Sequence, residues 1–325
     1  MKSIFIVCAL LVASIAALPS QDWTGFKQQF GKQYKSVAEE QLRRLAFEKN
    51  VLQIAAHNKR YEAGEVSFSM RLNQFSDMSH EEFSQRMLAK LPEIGAVNAS
   101  VYQPTQRNLP DWLDWRAHGV VTPVKNQGSC GSCWSYGAVA SMEGQWALRT
   151  GQLKQLSEQN LVDCADESWG NSGCSGGWAH NAMSWVISNG GINDQHFYPY
   201  EGVKRHCRFN HQYRAAHMGS LWTIEAGNEE SLRWAVANEG PVSVGVYVSE
   251  NFNRYGGGVF NDWSCGSWPN HIVTVVGYGW DASGGDYWLV KNSWDTWWGE
   301  GGYIRMSRNR NNQCLIASFA YFAKI

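Results

Sequence analysis

The sequence predicts an α+β protein in which a helical half packs against a strand-rich half. Residues 109–325 begin with three helical patterns, at about 133–149, 157–163 and 178–189. Runs rich in β-branched residues follow and predict strands at Val242–Val248, Ile272–Gly277, Tyr287–Val290 and Tyr303–Met306. Helices followed by strands are typical of α+β folds, and clefts form between two such subdomains. We therefore expect a functional site between the two halves.

The N-terminus has the pattern of a secretory signal peptide. Lys2 is followed by an apolar run from Ile4 to Ala17, which is too short to span a bilayer and ends in small residues. We predict a signal peptide over residues 1–17, cut near Ala16 or Ala17. The protein should then enter the secretory pathway and reach the lysosome or the extracellular space.

Composition argues against two classes of partner. The 325-residue chain has a formal net charge of −1 and 18% charged residues, so nucleic acid and other polyanions are not expected to bind. After the signal peptide, no run of about eighteen apolar residues predicts a membrane span.

The cysteine count predicts one unpaired thiol. Removal of Cys8 with the signal peptide leaves seven cysteines in a chain bound for an oxidising compartment. Six of them can pair, in fifteen ways, and the seventh is either free or linked to another molecule. The spacing alone does not say which cysteine is left over.

Residues 18–108 differ from the rest, with no cysteine and a single tryptophan, Trp23. A long amphipathic helix is predicted over Glu39–Glu62, and one face carries a ladder spaced by three and four: Glu39, Arg43, Phe47, Asn50, Ile54 and Asn58. Lys90–Asn108 lacks periodicity and predicts an extended linker, which contains a glycosylation sequon at Asn98.

The most informative motif is Cys130-Gly131-Ser132-Cys133-Trp134, which opens the first helical pattern of the second region. A cysteine in the first turn of a helix is a candidate nucleophile, because the backbone N–H groups there favour the thiolate. A Cys-x-x-Cys pair also occurs in redox sites and as half of a zinc site. No thioredoxin-like βαβ pattern and no second ligand pair accompany it here, so both alternatives are less favoured and no metal or other cofactor is expected.

This motif matches the signature of papain and cathepsin cysteines residue for residue, and the chain resembles a cathepsin L-like member of the papain family. The resemblance implies a two-lobed catalytic domain over 109–325, with a helical left lobe, an antiparallel β-barrel right lobe and the active site between them. It also implies Cys133 as the free nucleophile and three disulfides: Cys130–Cys174, Cys164–Cys207 and Cys265–Cys314.

Three further residues complete the expected active site. His271 opens a predicted strand 138 residues after Cys133, within the family's range of about 130–150, and would be the base. Asn292, in the Asn-Ser-Trp motif, would orient that imidazole, with Trp294 excluding water from the bond between them. Gln127, six positions before the nucleophile, would stabilise the oxyanion together with the Cys133 N–H.

The first region resembles a cathepsin propeptide. The ladder on the long helix is similar to the ERFNIN pattern, with Ala46 in place of the usual branched aliphatic residue. Asn73, Phe75 and Asp77 match a second motif, Gly-x-Asn-x-Phe-x-Asp, whose first glycine is replaced by Arg71. Residues 18–108 would therefore inhibit the catalytic domain, with the linker crossing the cleft and cleavage occurring around residues 108–111.

The resemblance also implies substrate contacts. Gly177 would pair its backbone with the peptide, and six residues would line the pocket for the residue two before the scissile bond: Trp178, Ala179, Gly245, Asn270, Ile272 and Phe319. Ile272 and Phe319 are larger than usual in the family, which predicts a preference for smaller aliphatic residues over phenylalanine. Asp295 and Leu315 also stand where glycine is usual.

We expect a monomeric, secreted or lysosomal cysteine endopeptidase made as a zymogen. Its partners would be protein or peptide substrates, its own propeptide and cystatin-like inhibitors. A catalytically silent relative that acts as a binding protein is the main alternative, and an inhibitor acting through the propeptide is a second.

Overall fold

The computed structural model describes residues 22–104 and 108–325, so the predicted signal peptide lies outside the described residues. Within them, no helix is long and apolar enough to cross a membrane. The N-terminal region is helical, and side chains cap its three helices. Asp22, Ser36 and Ser79 each accept a hydrogen bond from a backbone N–H of the first turn. They begin α1 (Trp23–Gln29), α2 (Val37–Glu62) and α3 (His80–Met87).

The predicted ladder on α2 faces the protein. Phe47, Asn50 and Ile54 are buried, while residues on the opposite face such as Leu45 are exposed. Asn58 exchanges two hydrogen bonds with the backbone of Met70. The periodicity therefore identified the packed face of the helix correctly.

The helical lobe of the second region is built on three helices. They are α4 (Cys133–Thr150), α5 (Glu158–Cys164) and α6 (Ala179–Asn189). Their shared core includes Trp134, Met142 and Leu161, all of which are completely buried. Gly151 and Gly190, with φ of 71° and 74°, end α4 and α6 in the left-handed conformation that glycine adopts without strain.

The other lobe contains a ten-stranded sheet around a second core. Its main path runs β1-β8-β11-β10-β9-β7-β12-β6-β2, and β3 also pairs with β9. Strands β4 and β5 form a separate pair. The strands are β1 (Phe68–Met70), β2 (Ser100–Val101), β3 (Leu113–Asp114), β4 (Ile192–Asn193), β5 (Arg214–Ala216), β6 (Ser220–Thr223), β7 (Val242–Val246), β8 (Tyr255–Phe260), β9 (His271–Asp281), β10 (Gly285–Lys291), β11 (Tyr303–Ser307) and β12 (Ala320–Lys324).

Two further helices accompany the sheet, α7 (Glu229–Glu239) and α8 (Glu250–Asn253). The order of helices and strands agrees with the α+β prediction. The sheet nevertheless contains two strands from the first region, since β1 pairs antiparallel with β8 and β2 pairs parallel with β6. The sequence predicted an extended linker for the residues of β2 and no strand for those of β1.

The structure contains the three disulfides that the resemblance implied, Cys130–Cys174, Cys164–Cys207 and Cys265–Cys314. Cys133 is a free cysteine, and it is buried.

Asp295 and Leu315 both have positive φ, at 65° and 68°. Glycine adopts positive φ without a steric penalty, and aspartate adopts it occasionally. A leucine with positive φ costs about 1–2 kcal/mol. The backbone therefore keeps the conformation that favours glycine at both positions although the residues have changed.

Candidate active site

Cys133 is the first residue of α4 and is completely buried. Burial raises the pKa of its thiol to about 12, against the opposing effect of backbone N–H groups that include those of Ile272, Trp134 and Ala89. Ile272 directly follows His271, so these contacts place the thiol beside the start of β9. Ala89 belongs to the first region, which therefore covers the thiol directly.

A missing side chain lets α4 approach β9 closely. A Cβ at Gly137, one turn into the helix, would lie 2.5 Å from Cγ2 of Ile272. Any larger residue would push the helix and the strand apart, and with them the two candidate catalytic side chains at their first residues.

His271 and Asn292 form a buried pair. Nε2 of His271 lies 2.8 Å from Oδ1 of Asn292, and the same oxygen accepts the Ser293 N–H at 2.8 Å. An acceptor at Nε2 fixes the tautomer that carries its proton there, which leaves Nδ1 free to exchange a proton with a thiol. Burial lowers the pKa of His271 to about 4, and the bond to Asn292 acts weakly in the other direction.

Trp294 covers this pair. Its ring stacks on the imidazole of His271 with centroids 4.6 Å apart and an interplanar angle of 27°, and it is completely buried. The indole therefore shields the bond between His271 and Asn292 from water.

Gln127 is held in place on both sides of its amide. Its Oε1 accepts a hydrogen bond from the Ser293 hydroxyl at 2.6 Å. Its Nε2 donates to the carbonyls of Cys130 and Met87, at 3.0 Å and 3.1 Å. Met87 belongs to the first region, so a carbonyl of that region occupies the donor that would hold an oxyanion.

The segment after α3 passes through the cleft in an extended form, bound by its backbone. The Ala89 N–H donates to the Asn270 carbonyl at 3.2 Å. The indole N–H groups of Trp268 and Trp178 donate to the carbonyls of Leu91 and Pro92, at 3.2 Å and 2.8 Å. We call residues 87–104, which start at the last residue of α3, the extended segment.

Comparison with known proteins identifies both regions. The papain family cysteine protease profile matches residues 109–324, and the cathepsin propeptide inhibitor domain profile matches residues 23–83. The chain belongs to the papain family of cysteine proteases. It is a cathepsin L-like member with an inhibitory propeptide domain at its N-terminal end.

Similarity to individual relatives extends over the full length. The chain is 42% identical to cathepsin L of Sarcophaga peregrina, over 100% of both chains. It is 44% identical to digestive cysteine proteinase 2 of Homarus americanus, over 96% of both. The structure of digestive procathepsin L 3 from Tenebrio molitor larval midgut matches with a TM-score of 0.87 and 42% identity, over 93% of this chain and 98% of that one.

The two glycines of the papain-like cleft, Gly176 and Gly177, meet different neighbours. A Cβ at Gly176 would lie 2.3 Å from the Lys90 carbonyl oxygen, so the backbone of the extended segment passes close to this glycine. A Cβ at Gly177 would instead meet Oδ1 of Asn171 at 2.3 Å, and that oxygen accepts the Trp178 N–H.

The predicted specificity residues gather at one wall of the cleft. The rings of Trp178 and Phe319 lie 5.4 Å apart, and a Cβ at Gly245 would be only 3.0 Å from Cβ of Phe319. Ala179 and Ile272 are buried in the same core.

Asn270 contributes to the cleft through its backbone carbonyl. Its side chain is turned away toward the end of β7, where it bonds both the N–H and the carbonyl of Val248.

Two residues at the site were missed by the sequence analysis. Trp268 packs edge-on against both Phe319 and Trp178, at 5.4 Å and 6.2 Å, and its position three residues before His271 was the available signal. Ser293 orients Gln127, and it lies inside the Asn-Ser-Trp motif, where only its neighbours were considered.

Asn98, the asparagine of the predicted glycosylation sequon, is exposed. No group of three or more histidine, cysteine or acidic residues that could hold a metal occurs in the part of the chain that the structure describes.

Proposed function

We propose that this chain is the zymogen of a secreted or lysosomal endopeptidase that cuts peptide bonds through Cys133, His271 and Asn292. The observation that carries the proposal is the continuous extended segment in the cleft. It enters at Met87, passes the buried thiol at Ala89 and continues beyond Pro92. A cleft that accepts a chain running on in both directions suits cleavage within a polypeptide rather than at its ends.

In the proposed reaction, the Cys133 thiolate attacks the carbonyl carbon of the scissile bond, and the carbonyl oxygen becomes an oxyanion. His271, protonated at Nδ1, gives that proton to the leaving amine as the C–N bond breaks and a thioester remains. Water then attacks the thioester carbon, and His271 accepts a proton from that water. The carboxylic acid leaves, and the thiolate–imidazolium pair is restored with the net proton balance unchanged.

Gln127 would hold the oxyanion together with the Cys133 N–H. The Ser293 hydroxyl fixes its Oε1, so its N–H groups point into the cleft before substrate arrives. Preorganised donors of this kind contribute about 10²–10³ in rate each.

The propeptide would keep this site silent in two ways. It occupies the Gln127 donor with the Met87 carbonyl, and its burial of the thiol and the imidazole disfavours charge on both. With the thiol pKa near 12 and the imidazole pKa near 4, both groups are neutral at physiological pH. Removal of the propeptide returns water to the cleft and allows the ion pair to form.

The pocket for the residue two before the scissile bond should favour valine or leucine over phenylalanine. Phe319 and Ile272 already fill its base, and Trp178 and Trp268 close its sides. A panel of fluorogenic dipeptides would test this. A kcat/KM for phenylalanine clearly above that for valine would contradict it.

The decisive experiment compares wild type with Cys133→Ala, both produced as full chains and incubated at falling pH. Wild type should release its propeptide, hydrolyse a fluorogenic dipeptide and react with an epoxide that labels active-site thiols. The variant should fold with an unchanged thermal midpoint, since the lost Sγ is small, and should do none of these. Thiol-inhibitor-sensitive turnover by the variant would refute the assignment, and a wild-type protein that never reacts with the epoxide would favour a silent relative.

A further inference from the structure

Strand β6 forms a second contact with the propeptide, one that involves none of the candidate catalytic residues. Strand β2 adds to β6 in parallel, with Ser100 opposite Trp222 and Val101 opposite Thr223. The Tyr102 N–H then donates to the Thr223 carbonyl at 2.7 Å. Removal of the propeptide takes β2 with it, because β2 precedes the predicted cleavage region, and β6 becomes the edge of the sheet.

An aromatic side chain completes this contact. Tyr102 is only 6% exposed, and its ring meets the ring of Phe322 edge-on with centroids 6.0 Å apart. Nζ of Lys324 lies 5.6 Å from the Tyr102 ring and 4.2 Å from that of Trp222. A cation near both rings favours electron-rich aromatic side chains over aliphatic ones of similar size.

The residues that receive Tyr102 are held in place by other residues of the catalytic domain. Glu239 forms an ion pair with Nζ of Lys324 at 2.9 Å. Strand β12 carries Lys324 and Phe322, and it pairs with the edge of β6 opposite to the one that β2 occupies. A groove of about 750 Å³ runs along the part of the extended segment from Ser100 to Gln103, and Arg149 and Asn238 also line it. The site therefore has room for chain beyond the residue that Tyr102 represents.

We propose that β6, together with Trp222, Phe322 and Lys324, is a substrate exosite in the processed enzyme. Its ligand is an extended stretch of a protein substrate that pairs with β6 as a strand and places a tyrosine, phenylalanine or tryptophan where Tyr102 lies. An exposed edge strand offers unpaired backbone groups to such a stretch, and the aromatic position supplies the selectivity. This inference rests on the proposed function, since the site opens only when the propeptide leaves.

A binding experiment tests the site apart from catalysis. The probe is a fluorescent, capped peptide with the sequence of residues 99–104, Ala-Ser-Val-Tyr-Gln-Pro. The receptor is the Cys133→Ala protein, either intact or cut with an added protease just before residue 109 and freed of its propeptide. We expect saturable binding to the cut form with a dissociation constant of about 0.1–1 mM, because the paired stretch is short. The intact zymogen should not bind, since its own β2 fills the site.

Variants then locate the binding. A peptide with alanine in place of tyrosine should bind at least about tenfold more weakly, because the buried ring is lost. Lys324→Met in the cut protein should weaken binding about threefold to fivefold, the usual strength of an exposed cation–π contact. Arg205→Met is the matched control, since Arg205 is an exposed cation of the helical lobe that pairs with Glu201, and it should change nothing.

Turnover supplies the functional measurement. The unlabelled peptide and Lys324→Met should each lower the cleavage rate of casein by the active cut enzyme and leave the fluorogenic dipeptide rate unchanged. Equal binding of the probe to zymogen and cut form, or no saturable binding up to about 5 mM, would overturn the exosite. If the dipeptide is also not cleaved, the proposed function has failed; if it is cleaved normally, only the exosite has.

Discussion

The N-terminal region covers the catalytic domain with two stretches that use different kinds of contact. The globular stretch, residues 23–83, packs side chains: Phe75 and Phe83 meet Trp294 edge-on at 5.7 Å and 5.3 Å. The extended segment, residues 87–104, uses its backbone, with bonds at Met87, Ala89, Leu91, Pro92 and Tyr102. The first kind of contact depends on residue type, and the second depends mainly on the path of the chain.

This difference suggests that one stretch mainly supplies binding free energy and the other mainly blocks the active site. The globular stretch buries large aromatic area, which is the main source of binding free energy. The extended segment buries the Tyr102 ring and aliphatic side chains such as Leu88 and Leu91, and it also covers the thiol and occupies the Gln127 donor. We therefore expect the globular stretch to determine the affinity of the propeptide for the catalytic domain. We expect the extended segment to determine how strongly the reactivity of Cys133 is suppressed.

The largest expected effect tests the silencing. Iodoacetamide should alkylate Cys133 in the intact zymogen at least about 10³-fold more slowly than in the cut protein at pH 6, because a buried thiol with a raised pKa offers almost no thiolate. Mass spectrometry of the peptide that contains Cys133 measures both rates. Comparable rates would show that the extended segment does not shield the thiol.

The next largest effect tests the side-chain contacts. Phe83 is completely buried between Phe75 and Trp294, so Phe83→Ala should cost about 3–5 kcal/mol and release the propeptide at higher pH. Urea unfolding of this variant, made in the Cys133→Ala background, measures the loss. Leu45→Ala is the control, since Leu45 lies on α2 with 63% of its surface exposed and should change stability by less than about 0.5 kcal/mol.

The two stretches also differed in how far the sequence could predict them. Spacing along α2 and the Asn73, Phe75 and Asp77 motif revealed the globular stretch because those side chains do the packing. Asn50, for example, bonds the carbonyls of Ser76 and Met78, a role that its residue type makes recognisable. The extended segment was predicted only as a linker across the cleft, because backbone bonds place almost no demand on residue type.

The same reasoning applies within the active site. The positions of Cys133, His271, Asn292 and Gln127 could be predicted because local motifs surround each of them. The contributions of Trp268 and Ser293 were missed, because they depend mainly on what those residues touch in three dimensions. The departure at Arg71 was left without an expected effect for the same reason.

An intermediate effect concerns pH. Burial lowers the pKa of His271 from 6.5 to about 4, so the unfolded chain binds a proton between these values that the folded zymogen does not. Stability must therefore fall as the pH drops from about 6.5 to 4, by about 3 kcal/mol from this group. Burial also lowers the pKa of His180 to about 4, and it lowers the pKa of His57 and of His80, which faces Glu250 and Arg254. All three groups add in the same direction.

Calorimetry of the Cys133→Ala zymogen from pH 7 to pH 4 measures this slope. His271→Gln in that background should make the slope shallower without removing it, because His180 contributes in the same direction. His118→Gln, at an exposed site, should leave it unchanged. A thermal midpoint that does not fall with pH would mean that the cleft remains hydrated beneath the extended segment.

The smallest expected effect concerns Arg71, which stands where the propeptide motif has glycine. Its guanidinium donates to the carbonyls of Trp297, at 3.3 Å, and of Gly299, so the departure adds contacts between the propeptide and the catalytic domain. Phe30 reinforces them by meeting the Trp297 ring edge-on at 5.7 Å. Arg71→Ala should weaken propeptide binding by about 1–2 kcal/mol, which corresponds to activation about 5- to 30-fold faster at a fixed pH.

That change is measured as the half-time for dipeptide-cleaving activity to appear after a drop in pH. Arg60→Ala is the control. Arg60 is an exposed propeptide cation that pairs with Glu65 inside the propeptide, so its loss should not reach the catalytic domain. Equal half-times for the two variants would mean that Arg71 adds contacts without adding binding free energy. Faster activation by Arg71→Ala alone would show that a residue that departs from the family motif also contributes side-chain contacts to the globular stretch.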